Sequence, residues 1–182
     1  MAFNVENFRA NLLNDGARPS LFQVNIPFPA VPGVSGLAGS SLAFTCRAAS
    51  LPPDQISHIV IPYFGREIKV AGTRTFPEWT VTVINDESFV VRNSLEAWMN
   101  SINSHVGNVR NPVFNPPSAY QRDAIVTQYG KTGPGNVIKA YNIVGAFPVD
   151  VAAIDLDWAL GDQIEEYTVT FAYQWWVSNT TT

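Results

Sequence analysis

Most of the side chains that build reactive or ligand-holding sites are scarce in this 182-residue chain, which has one cysteine, two histidines and few charges of either sign. The lone Cys46 excludes an internal disulfide. It is expected to pack as a small apolar group in a strand, with intermolecular pairing the lesser alternative. His58 lies in a strand pattern and His105 near a helix end. Neither has a partner at ligand spacing, and a zinc site would need carboxylates in an arrangement the spacing does not offer. Charged residues make up 14% of the chain, against about 25% in an ordinary soluble domain. The 11 basic residues form no cluster and the net charge is −4, which argues against a nucleic-acid binder, since phosphate affinity comes from grouped Lys and Arg. No segment approaches the roughly 20 apolar residues of a membrane helix. The start, MAFNVENFRANLL, has no basic leader followed by an apolar run, so neither membrane insertion nor a secretory signal is expected.

The remaining chemical motifs are weak. Gly33, Gly36 and Gly39 mimic a nucleotide loop, but the spacing is not the dinucleotide fingerprint and no phosphate-loop Lys follows. Asp155 and Asp157, two apart, would share one face of a strand, as metal-holding or acid and base pairs do. No His or third carboxylate completes such a site, and acids that blunt a sheet edge fit the pair better. The Asn179-Thr180-Thr181 sequon has no meaning without a secretory route. No nucleophile, base and orienter converge, so no enzyme, catalytic residue, metal or cofactor is expected.

Aromatic residues, by contrast, reach 12%. A chain of this size folds to a surface of order 9,000 Å². So few charges over that area leave wide regions suited to permanent contacts, and an obligate oligomer follows. Length and composition fit one domain over residues 1–177 with a flexible tail at 178–182.

Periodicity gives mainly β structure with some α. Val5, Phe8 and Leu12 predict a short docking helix over residues 4–13, capped by Asn4 and stopped by Gly16. Phe22, Val24 and Ile26 mark a half-buried strand ended by Pro27. Residues 27–39 read as a Pro/Gly loop, followed by a strand at about residues 42–48. Two β-rich runs flank Tyr63-Phe64-Gly65 and predict a projecting hairpin over residues 50–72. From Phe76 to Ile84, Trp79, Val81 and Val83 alternate with Glu78, Thr80 and Thr82. Val91, Leu95, Trp98, Met99 and Ile102 then define a helix, with Asp86 and Glu87 at the positive end of its dipole. Residues 123–129 and 137–144 read as a hairpin around Gly133-Pro134-Gly135, with a break at 145–148 and a short element near 151–156. In the last strand Tyr167, Val169, Phe171, Tyr173 and Trp175 face one way, and Glu166, Thr168, Thr170, Ala172 and Gln174 the other.

Four stretches carry a resemblance: ARPSLFQVNI (17–26), FTCRAASLP (44–52), GREIKVAGTRTFPEWTVTVINDE (65–87) and IDLDWALGDQIEEYTVTFAYQWW (154–176). In this order they resemble the tail tube proteins of contractile-tailed bacteriophages over most of the chain. Residues 27–39 and the Pro-rich 108–117 depart from that pattern. The resemblance implies an antiparallel β-sandwich or barrel with one flanking α-helix, whose sheets join those of other copies into a continuous barrel in a hexameric ring. It implies a structural virion protein whose rings stack into the inner tail tube, a conduit for DNA and protein ejection.

Several expectations follow from the resemblance. The polar face made by Glu78, Thr80, Thr82, Glu166, Thr168, Thr170 and Gln174 has no Lys or Arg and would line the lumen, where weak repulsion lets DNA pass without being held. An outer solvent-facing sheet is the alternative for that face. The projecting hairpin would reach the neighbouring ring, with Ile56, His58, Val60, Tyr63 and Phe64 as contact residues. The implied partners are further copies of the chain, the tail sheath, baseplate and tail terminator proteins, and a tape-measure protein in the lumen. Assembly is expected in the host cytoplasm and residence in the virion tail. Two other readings stay open: the inner tube of a bacterial contractile injection system (a tailocin or type VI secretion apparatus), and a carbohydrate-binding β-module.

Overall fold

The computed structural model describes residues 4–12 and 16–181. Leu13, the expected end of the first helix, lies outside the described residues, as do the first three residues of the expected domain and Thr182 of the tail. In chain order the elements are α1 (Val5–Asn11), β1 (Phe22–Asn25), α2 (Ala38–Thr45), β2 (Cys46–Ala49), β3 (Gln55–Tyr63), β4 (Arg66–Thr75), β5 (Trp79–Ile84) and α3 (Val90–Ile102). A 3₁₀ turn (Pro112–Phe114) and the single-turn α4 (Pro117–Tyr120) lead to β6 (Arg122–Tyr129), β7 (Val137–Val151), β8 (Glu166–Ala172) and β9 (Trp175–Ser178).

The main sheet runs β1-β6-β7-β8-β5-β2, with β9 also paired to β7, and every pairing is antiparallel. Inward positions of both halves meet in one core. Val24, Val126 and Ile143 come from the β1, β6 and β7 side, and Trp79, Val83, Val169 and Phe171 from the β5 and β8 side. Helix α3 closes it with Val91, Leu95 and Trp98. Burial alternates strictly along β5 and β8, so the period of two read from the sequence is the pleat itself. The sheet does not close into a barrel within one chain.

Four local expectations give way to the tertiary structure. Residues 38–45 are helical, not the start of a strand: Ala38 and Leu42, one turn apart, bury together, with α2 lying on β1 and α3. A short apolar run fits either period, and packing decides between them. The flanking helix is therefore one of several. Helix α1 is capped by Asn4, whose Oδ1 accepts from the Glu6 N–H at 3.0 Å. It does not dock on its own domain, since Val5, Phe8 and Leu12 stay exposed.

The expected break at 145–148 is instead a bend inside one 15-residue strand. Gly145 has φ +69, and a Cβ there would lie 2.9 Å from Gln174 Cγ, so only glycine turns the chain here without strain. Around this bend β7 changes partners: it pairs with β6 and β9 up to Ala146 and with β8 from Phe147 on. The last strand breaks in the same place. Tyr173 continues the buried face, but Trp175 begins β9 with 49% of its surface exposed. Ser178 ends β9 opposite Tyr141, and Asn179 N–H donates to the Ala140 carbonyl at 3.2 Å.

Cys46 starts β2 and packs against the core. Burial pushes its thiol from 9.0 up to about 11. Thiol reagents attack the thiolate, so at about pH 8 the folded protein should alkylate on the order of 100-fold more slowly than the unfolded chain. Because the folded pKa is raised, the preference for the neutral thiol stabilises the fold fully below about pH 9 and is lost as pH rises through about 11. Timed alkylation with and without denaturant checks this, and equal rates would refute the burial.

Candidate functional site and family

The two alternating strands meet in register. Thr80 pairs with Thr170 and Thr82 with Thr168, side by side on the face away from the core. Opposite residues of an antiparallel pair share a face, so Asp150 of β7, paired with Thr170, joins them. Sequence reasoning missed Asp150, whose place depends on the bend at Gly145. Glu166 stands at the Ile84 end of this ladder. It is ion-paired with Arg47 of β2, so the face described from β5 and β8 as free of basic residues gains one from a neighbouring strand. Glu78 and Gln174 lie at the other end, exposed and outside the β5 and β8 ladder. Gln174 sits in the break before β9, where its N–H donates to the Val144 carbonyl at 3.0 Å.

The segment of residues 50–75 leaves the body as a separate two-stranded ribbon, β3 with β4. Its turn is Phe64-Gly65, both with positive φ (42 and 81), the signature of a tight two-residue hairpin matched to strand twist. The register puts Ile59 opposite Val70, Ile61 opposite Ile68 and Tyr63 opposite Arg66. Those residues make one apolar face tipped by a cation. His58, Val60, Glu67 and Lys69 lie on the other, and a bulge between Ile56 and His58 shifts the phase near the base. Of the contact residues named from sequence, Tyr63 is on the apolar face and Phe64 at the tip, while His58 and Val60 are on the opposite face. Ile59, Ile61, Ile68 and Val70, which complete the apolar face, were not among those named, although their alternation across the turn was readable once the two runs were aligned on it.

All these side chains are exposed, Phe64 by 92%. An isolated two-stranded ribbon is marginal in water, so this one needs a cover. Its root is held firmly. Trp79 Nε1–H donates to the Ser50 carbonyl at 2.7 Å, and Tyr173 O–H and Trp176 Nε1–H donate to the Pro53 carbonyl at 3.2 and 3.1 Å.

The strand face that Asp155 and Asp157 were expected to share, at a sheet edge, does not form. Asp155 and Asp157 lie in the loop between β7 and β8, where Asp157 Oδ1 accepts from Ala159 N–H at 2.9 Å as a local turn. Among the described residues no three His, Cys, Asp or Glu side chains are placed to hold a metal. His58 stands on the ribbon and His105 in the loop after α3, its N–H donating to Asn100 Oδ1. The surface tells more than any pocket. The chain exposes 12,412 Å², against about 9,000 Å² for a compact monomer of this mass.

A family model described as phage tail tube protein matches residues 17–179. The tail tube protein gp19 of Enterobacteria phage T4 is 36% identical over 168 residues, covering 92% of this chain and 95% of that protein. The tail tube protein of Serratia phage KSP90 is 27% identical over 171 residues, 93% of each. Among solved structures, the tube-terminating cap of the anti-feeding prophage has the same fold at TM-score 0.63, with 18% identity over 91% of each chain. The sheath/tube terminator of an extracellular contractile injection system is alike at TM-score 0.63 and 15% identity, covering 91% of this chain and 97% of that one. An open sheet, a ribbon left uncovered by the described residues of its own chain and this span of sequence identity meet in one conclusion: the chain belongs to the phage tail tube protein family, structural components of the virion tail and not enzymes.

Proposed function

We propose that six copies join edge to edge into a ring, their sheets closing into one barrel, and that rings stack into the inner tube through which DNA and protein reach the host. The observation that carries this reading is the open sheet with β2 at its free edge, in a chain whose surface exceeds that of a compact monomer. Unpaired strand edges invite pairing with another chain, and closure removes them. With β2, β5, β8 and the second half of β7 from each copy, six copies give roughly two dozen strands, enough for a water-filled bore. Sheath, baseplate and terminator proteins contact the tube's outside and ends, and a tape-measure protein occupies its lumen during assembly in the host cytoplasm. Negative-stain microscopy of the purified protein tests it: annuli with six-fold averages or filaments are expected, and a monodisperse monomer at high concentration would overturn it.

On this reading the threonine face of β5 and β8 lines the lumen; its support is that Thr80, Thr82, Thr168 and Thr170 share one face, which Asp150 joins and makes more acidic. Virions carrying Thr168→Lys with Thr170→Lys should build tails of normal length but eject DNA about tenfold more slowly or worse, because added cations hold phosphates by counterion release. The defect should ease as salt is raised. Normal ejection from normal tails would place this face elsewhere.

A further inference from the structure

Three interruptions fall on one line across the main sheet. The register of β6 against β7 slips between Arg122 and Ala124, β7 turns at Gly145, and the chain leaves β8 after Ala172 and resumes as β9 at Trp175. They are neighbours, since Arg122 pairs with Ala146, Val144 with Trp175 and Phe147 with Ala172. The line is a crease between two sheets. On one side stand β1, β6 and β9, on the other β8, β5 and β2, and β7 is the strand that crosses it unbroken.

A crease takes ladder groups away from their partners, and a buried amide left unpaired costs stability. Two hydrogen bonds take them up here. Gly145 is buried, and its N–H donates to Asp123 Oδ1 at 3.0 Å, while Gln174 N–H donates to the Val144 carbonyl at 3.0 Å. Asp123 can do this because of the slip beside it. Two residues of β7, Val144 and Gly145, stand opposite the single Asp123, the count of a β-bulge, and bulges re-aim side chains. Its exposed carboxylate has no ion pair among the described residues and serves as the acceptor the ladder lacks at this point. A Cβ at Gly145 would also lie 3.1 Å from Gln121 Oε1, so the crease is filled around the bond.

We propose that Asp123 is the positioning residue that fixes the angle between the two sheets, and through it the number of copies that close a ring. This rests on the tube reading above. Pairing with β6 ends at Ala146, so residues 147–151 of β7 keep β8 on one side and have no strand of the described residues on the other. That free stretch begins two residues past the clamp. In a ring it faces the β2 edge of a second copy, and the crease sets its lean against the outer sheet beside the junction. Any change of lean recurs at every junction. Six copies turn about 60° at each junction and seven about 51°, so a change of about 9° exchanges one closure for the other.

Three variants of the full chain decide it. Asp123→Ala removes the acceptor and Asp123→Asn keeps a carbonyl oxygen in its place. Ile143→Val, buried in β7 two residues from Gly145, loosens the same strand without touching the clamp. Circular dichroism should show all three folded and melting within about 5 °C of wild type. Class averages of negatively stained rings then read the angle. Asp123→Ala should cut the six-fold fraction about tenfold in favour of other ring sizes and open arcs, whereas Asp123→Asn and Ile143→Val stay within about twofold of wild type. The clamp is overturned by Asp123→Ala rings as uniformly six-fold as wild type, by Asp123→Asn or Ile143→Val rings as mixed as those of Asp123→Ala, or by an Asp123→Ala chain that does not fold. Wild-type protein that makes neither rings nor tubes overturns the tube reading itself.

Discussion

Replacing residues 55–75 by a two-residue turn should leave a folded protein that cannot form tubes. Gln55 and Thr75 face each other across the base of the ribbon, so a short link can join the strands that remain. No ribbon residue belongs to the core cluster, and the Arg74–Asp54 pair lost at the root is solvent-accessible and worth about 1 kcal/mol at most. Thermal unfolding followed by circular dichroism should therefore shift by only a few degrees, while sedimentation and microscopy show rings or smaller species in place of filaments. Full-length tubes from the shortened chain would show that the ribbon is ornamental to stacking. A chain that no longer folds would show that the ribbon's exposed apolar side is part of the fold, contrary to the burial pattern.

Trp79→Ala should be the most damaging single change to the fold. Trp79 is fully buried, its ring 5.6 Å from that of Phe171, and its indole N–H holds the Ser50 carbonyl at the root of the ribbon. Truncating a buried Trp costs about 3–5 kcal/mol, a large part of the roughly 5–15 kcal/mol that keeps a domain folded. Trp79→Phe keeps most of the apolar contact and loses the donor, for about 1–2 kcal/mol. The pair separates two roles. Denaturant titration should order wild type above Trp79→Phe and Trp79→Phe well above Trp79→Ala. The Phe variant should assemble less readily than its stability alone implies, because the ribbon's root is freed. Equal midpoints for Ala and Phe would mean the cavity term is negligible and the core loosely packed there.

The polar face and the ribbon were legible for different reasons. Thr80, Thr82, Thr168 and Thr170 alternate with large apolar residues, and alternation in a strand assigns faces without any knowledge of partners. Phe64-Gly65 between two β-rich runs signalled the turn. Less legible was how these pieces sit together. Arg47 and Asp150 reach the threonine face from strands about 120 and 20 residues away along the chain, through pairings that local pattern does not encode. The bulge after Ile56 set which ribbon side is continuous, and a one-residue slip in phase exchanges every side chain between faces. That is why His58 and Val60 were named where Ile59, Ile61, Ile68 and Val70 form the apolar strip.

The amino-acid order by itself determined the inward and outward faces of β1, β5 and β8, the apolar side of α3, the hairpin turn, and a shortage of charge that a lone molecule would solvate poorly. The faces and the turn depend on neighbours one to four residues apart and the charge shortage on composition alone, so both are readable without the fold. Tertiary packing alone decided that residues 38–45 coil into a helix against β1 and α3, that β7 passes unbroken through Gly145 to join both halves of the sheet, and that the ribbon and the loop between β7 and β8 stand at opposite ends of β8. Those outcomes hang on contacts between residues distant in the chain, where burial and strand pairing outweigh local preference.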